Sequence, residues 1–205
     1  ISLSAAVIIL YSLFFQQDPS TVKQNLTEEQ IKVEKNTDAP TLELDENISE
    51  VSRKDALNQS KRVSFENKNI VGSISLVGGT IDDLTFKNYT ETLNGEDNVT
   101  LLHPRSFSEG YLVETGWATT NKDIDVPNFK TKWDIEGNNK LSPNNPIKLV
   151  WKNNQKIKFE KVISLDDEYL FTIKQQVINS SNKTYSFYNY GQIIRNKVPK
   201  IQNFF

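Results

Sequence analysis

Residues 72–93, GSISLVGGTIDDLTFKNYTETL, carry the only Gly-Gly pair of the chain, Gly78-Gly79, two residues ahead of Asp82-Asp83. Two chemistries use such types. A glycine loop can cradle a phosphate on bare backbone N–H groups, and a pair of carboxylates can share acid and base roles. The phosphate loop requires a following helix and a Gly-Lys-Ser/Thr ending, and neither stands here. Paired carboxylates require a common cleft and environments that push their pKa values apart. Neighbours on a strand point to opposite faces, so Asp82 and Asp83 are not expected to share a site. The stretch therefore reads as a sheet corner. As a two-residue hairpin loop, Gly78-Gly79 would set Val77 against Thr80 and Leu76 against Ile81. The next pair on that side would be Ile74 with Asp83, an apolar residue against a carboxylate, which predicts a bulge or the end of pairing near Asp82-Asp83. Leu76 and Ile81 are expected to be buried, Gly78 or Gly79 to take a positive φ, and both aspartates to be at least partly exposed without a metal.

The remaining candidates are weaker. His103, in LLHPR, is the only histidine, whereas a metal site wants two or three. It reads as an incidental loop residue. Tyr185, Phe187, Tyr188 and Tyr190 crowd one strand and read as core and cross-strand pairs rather than a stacking platform for a sugar or base. Seven Asn-x-Ser/Thr matches, starting at Asn25, Asn47, Asn58, Asn88, Asn98, Asn179 and Asn182, are what an Asn-rich chain produces by chance. There is no cysteine, which excludes disulfides, zinc-thiolate sites and a thiol nucleophile. The residues thus nominate no catalytic, cofactor-binding or metal-binding group.

The elements around these residues fall into three parts. Residues 1–15, ISLSAAVIILYSLFF, are uncharged and would span roughly 22 Å as a helix at about 1.5 Å per residue. They read as a transmembrane helix lacking its first turns, since a bilayer core is about 30 Å thick. Residues 16–62 are polar and hold no aromatic residue, so they read as a flexible tether reaching on the order of 40 Å. From residue 63 the pattern changes. RVSFEN, NIVGSISLVG, IKLVWKN, QKIKFEKVISL, YLFTIKQQVIN and TYSFYNYGQII alternate apolar with polar or small residues, the period of half-buried antiparallel strands. Residues 151–156 read as a hairpin turn, with Asn153-Asn154 able to take positive φ, residues 180–183 as a second hairpin turn, and residues 138–146 as a loop. Residues 63–205 are therefore an all-β domain, most simply a sandwich. The formal net charge of −2, with both signs interspersed, gives no basis for a nucleic-acid partner. With no methionine and Ile at position 1, the sequence reads as a fragment.

The order of four blocks carries a resemblance: GSISLVGGTIDDLTFKNYTETL, NVTLLHPRSFSEGYLVETGWA, IKLVWKN, and FEKVISLDDEYLFTIKQQVINSSNKTYSFYNYGQIIR. Together they resemble the first large periplasmic domain of YidC-type membrane protein insertases in their alphaproteobacterial form. The anchor and tether match that family's layout by position. The resemblance implies a protein of the bacterial inner membrane with a cytoplasmic N-terminus. It implies a galactose-mutarotase-like β-supersandwich in the periplasm, incomplete here, followed by five insertase helices. The implied partners are nascent membrane proteins, Sec translocon subunits and, through residues 1–15, the lipid bilayer. The implied role is non-catalytic, and no residue of this chain maps onto the insertase groove or its arginine. The same fold also serves aldose epimerases and carbohydrate-binding domains, so a sugar-binding sandwich is the alternative. Trp117, Trp133 and Trp151 would be its stacking candidates. Epimerases of that type use histidines with a glutamate, a set that His103 alone cannot supply.

Overall fold

The computed structural model describes residues 51–198. The apolar stretch 1–15, residues 16–50 of the tether and residues 199–205 lie outside the described residues. Among the described residues no helix is long and apolar enough to cross a membrane.

The chain enters through a short helix, α1 (Arg53–Asn58), started by Ser52, whose side-chain oxygen accepts the Asp55 N–H at 3.1 Å. Eleven strands follow: β1 (Arg62–Glu66), β2 (Ile70–Ser75), β3 (Thr80–Thr90), β4 (Asn98–Leu102), β5 (Tyr111–Ala118), β6 (Asp134–Glu136), β7 (Lys140–Leu141), β8 (Ile147–Lys152), β9 (Ile157–Leu165), β10 (Phe171–Asn179) and β11 (Tyr188–Arg195). One sheet runs β11-β5-β3-β2-β1-β7 with β4 beside β3, and the other runs β10-β9-β8-β6. Pairing is antiparallel except for the two residue pairs between β1 and β7. The architecture is the all-β, two-sheet arrangement that the period-two runs predict.

The alternation sets the core. Val63 and Phe65 of β1, Ile74 of β2 and Ile81 and Leu84 of β3 point inward from the first sheet, and Leu149, Ile157, Phe159 and Ile163 meet them from the second. Each fully buried side chain of this size contributes about 1.5–3 kcal/mol relative to exposure.

Four expectations are corrected. The tether does not run to residue 62: within the described residues Val51 bridges to Phe107, and Ala56 of α1 is buried. The turn at 180–183 is not a hairpin, because β10 pairs with β9 while β11 pairs with β5 in the other sheet. The chain crosses between layers there, and residues 184–187 are not strand. Phe187 instead drives its ring edge against Phe159 in the core, 5.4 Å between centroids. The hairpin at 151–156 is real, but its positive φ falls on Lys156 (61°). Asn153 serves as acceptor instead, its side-chain oxygen taking the N–H groups of Gln155 (3.0 Å) and Ile157 (2.9 Å). That is a three-residue loop closed by a left-handed residue. Finally, the loop at 138–146 contains β7, because Leu141 is fully buried beside Phe65.

Candidate functional site

The Gly78-Gly79 corner is wider than a two-residue turn. Ser75 pairs with Thr80 and Ile74 with Ile81, so the connection is the four residues 76–79, not Gly78-Gly79 alone. The register differs because a third segment captures the corner's backbone. Gly78 N–H donates to Thr131 O, Trp133 N–H to Leu76 O, and Val77 bridges to Lys132. Both glycines take positive φ, 77° and 61°, as the corner requires. Ile81 is buried, and Leu76 is half-buried against the core.

The pairing shifts between Ser73 and Ile74, which leaves Asp82 as the extra residue of a bulge. The bulge resolves the clash seen in the sequence. Ile81 and Leu84 both face the core, and the two aspartates between them both face out. This overturns the expectation that they diverge: one network spans three strands. Arg62 of β1 forms an ion pair with Asp82 and donates from Nε to Ser73 Oγ (2.7 Å). Ser73 Oγ in turn donates to Asp83 Oδ2 (2.6 Å), and Arg53 of α1 pairs with Asp83. The expected exposure is also corrected: Asp82 is only 5% exposed. Burial pushes its carboxyl above the ordinary value, against the pull of Arg62. Both carboxylates are consumed by arginines, so the cluster can hold strands together but presents no free acid or base.

His103 stands at the margin of this cluster, its ring 5.4 Å from that of Phe107. Burial, with Arg53 nearby, lowers its pKa and so favours the neutral imidazole. Among the described residues no three metal-ligating side chains gather.

A second constellation escaped the sequence reading. Lys161 of β9 is 1% exposed, and its ammonium reaches the carbonyls of Thr115 on β5 and Gly79 at the corner. It lies 5.0 Å from the ring centroid of Trp133 and 5.9 Å from that of Trp117, which stack on one another. Desolvation holds its pKa at about 8, with Glu114 pulling the other way. Glu114, itself buried, pairs with Arg105 and accepts from Tyr190 OH (3.0 Å) and Gln192 Nε2 (3.2 Å). Burial and that carboxylate raise the Tyr190 pKa well above its usual value. A narrow crevice beside Gly78, Pro127 and Asn128 adjoins the cluster. The sequence did hold one signal: Lys161 falls on the same alternate phase as Ile157, Phe159, Ile163 and Leu165, where β9 is otherwise apolar.

Trp117 and Trp133 are each 3% exposed, so neither offers a ring face to a ligand. Phe187 and Tyr185 pack on the core, and Tyr190 lies across Gly116. Of the four crowded aromatics only Tyr188 is exposed, so the core-and-pair reading holds for the other three.

Residues 62–205 match the family model of the YidC periplasmic domain. A membrane protein insertase YidC of Pelagibacter ubique (strain HTCC1062) is 59% identical over 205 residues, covering 100% of this chain and 37% of that relative. One of Mesorhizobium japonicum is 32% identical over 221 residues, with 98% of this chain and 37% of the relative covered. One of Brucella suis is 38% identical over 151 residues, covering 73% and 25%. The chain thus spans little more than a third of the length of these relatives. With a family model matched over most of its residues and a relative aligned along its whole length, the chain belongs to the YidC periplasmic domain family.

Proposed function

We propose that this chain is the periplasmic part of an inner-membrane insertase and contributes to insertion as a folded, non-catalytic docking body. The observation that carries this is the family match over residues 62–205, joined to alignment of the entire chain with a relative named membrane protein insertase YidC. The site geometry agrees with a non-enzymatic role. The carboxylates of the corner are held by arginines, and the buried lysine is held by carbonyls and indole rings. In this reading the N-terminus is cytoplasmic, residues 1–15 cross the bilayer, and the sandwich sits in the periplasm. Nascent membrane proteins and Sec translocon subunits are the partners, met on exposed strand faces such as that of β11, where Ile193 is 68% exposed. No nucleic acid is involved. The sugar-binding alternative lacks an observation in its favour, since two of its three tryptophans are interior.

The test uses the full-length protein in its membrane. A photo-reactive residue at Ile193 should crosslink to a translocon subunit or an inserting membrane protein, and protease added to spheroplasts should degrade the sandwich. Protection from external protease would overturn the topology. Crosslinks absent at every exposed β10 and β11 position would overturn the docking role.

A further inference from the structure

The segment that enters the domain is attached differently from the strands it precedes. Residues 51–59 are held through few contacts: the Val51–Phe107 bridge and the hydrogen bond from Ser106 Oγ to Gln59 Oε1 (2.8 Å), both to the loop between β4 and β5, the Arg53–Asp83 ion pair to β3, and the burial of Ala56. Helix α1 has six residues, too short to persist without docking. The docking is also imperfect, because Arg53 Nε is buried without a hydrogen-bond partner, as is His103 Nδ1 near it. Just beyond, the attachment changes character. Ser60 Oγ meets Ser75 Oγ at 2.9 Å and Lys61 O accepts the Leu76 N–H at 2.9 Å. Arg62 then pairs with Asp82, and Val63 and Phe65 are fully buried.

We propose that residues 51–59 form a releasable strap, which undocks from the sheet as one unit, hinged at Ser60-Lys61, while the sandwich stays folded. Elements with little buried apolar surface and solvent-facing hydrogen bonds occupy the low end of local stability, and this strap fits that description where β1 does not. Release frees nine residues, which fully extended span at most ~30 Å between the hinge and residue 51. It also strips Asp83 of Arg53 while leaving the Arg62–Asp82 pair in place. If residues 1–15 anchor the chain, as the reading above has it, the strap sets how far the sandwich stands from the bilayer. The release itself does not depend on that anchor.

Native-state hydrogen exchange on the full 205-residue chain tests the release separately from the membrane reading. Amides of residues 53–59 should exchange at least ~100-fold faster than those of residues 63–66, relative to their intrinsic rates, with almost no dependence on sub-denaturing urea. Exchange of both segments at one common rate, with one common urea dependence, would overturn the proposal. The chain has no cysteine, so a single disulfide can pin the strap. In a Val51→Cys, Phe107→Cys variant, oxidation should slow exchange at 53–59 toward that of β1, and reduction should restore it. Strap exchange indifferent to the redox state would equally defeat release as one unit.

Discussion

Among the described residues, two regions that bury charge do so by opposite means. On the outer face of the first sheet, Arg62, Asp82, Asp83 and Arg53 neutralise one another in alternating pairs. Between the sheets, Lys161 has no carboxylate in contact and is held by the carbonyls of Thr115 and Gly79 and by two indole faces. Paired charges depend on both partners being present. A cation held by fixed dipoles depends on its own protonation state, because the carbonyls and indoles that hold it cannot be titrated. Mutation should therefore expose the first region, and pH the second.

The largest effect is expected at the corner. Removing one member of a buried pair leaves the other uncompensated, so Arg62→Ala should cost about 4 kcal/mol. Asp82→Asn in the Arg62→Ala background should recover part of that loss, since the stranded group is then neutral. Urea denaturation of the two single variants and the double variant measures this. A double variant less stable than Arg62→Ala alone would show that the pair is not the unit that matters.

The second effect tests the lysine. In the unfolded chain Lys161 titrates near 10.5, and in the native state burial lowers it to about 8. Between those values the unfolded chain binds more protons, so this group makes native stability rise with pH from about 8 to about 10.5. At about 1.4 kcal/mol per unit the rise over that window is about 3 kcal/mol. Other groups titrate there too, so the measurement is the difference in urea midpoint between wild type and Lys161→Met, at pH 7.5 and at pH 10. The difference should shift in favour of wild type as pH rises. A pH-independent difference would mean that the lysine keeps its ordinary pKa and the contrast between the regions fails.

The two regions also differ in how far the residues announce them. The corner was visible, because Gly78-Gly79 beside Asp82-Asp83 breaks the apolar alternation and forces a bulge. Its partners were not, since Arg62 and Arg53 come from β1 and α1, and only tertiary pairing brings them to β3. Strand existence was legible in β1, β2, β8, β9 and β10, where period-two runs mark one buried face. Sheet membership was not. Asn179–Lys183 has the polar turn chemistry of a hairpin, and nothing local says that the next strand joins the other layer. Lys161 gives little local sign of burial, because an amphipathic lysine in a strand ordinarily faces outward. The phase it shares with Phe159 and Ile163 was the available clue.

Gly79→Val sharpens the link between the regions, because this residue belongs to both. Its carbonyl faces Lys161, its φ is 61°, and a Cβ there would sit 3.1 Å from Trp133 Nε1. A β-branched residue resists that conformation, and the indole is locked in the core. The variant should lose about 2 kcal/mol by thermal or urea denaturation. A neutral outcome would mean that the corner relaxes freely and is not what positions the carbonyl.

The smallest effect comes from the outer pair, and it asks whether burial or mere pairing sets the corner's strength. Arg53 is more exposed than Arg62, 32% against 13% by side chain, and Asp83 keeps the Ser73 hydroxyl when Arg53 is gone. Water can therefore reach the site left by Arg53, and the remaining carboxylate is never stranded. Arg53→Ala should cost only about 1 kcal/mol, in the range of partly exposed pairs. Asp83→Asn should cost no more, and in the full-length protein it should leave membrane insertion nearly unchanged, because a carboxylate engaged only by Arg53 and Ser73 has no chemistry to lose. The readouts are denaturation of the chain and insertion of a model membrane protein by the full-length variant. Should Arg53→Ala prove as damaging as Arg62→Ala, the network would be acting as one indivisible unit, with burial of its inner pair irrelevant. Should Asp83→Asn abolish insertion while the fold survives, the corner would be a working site after all.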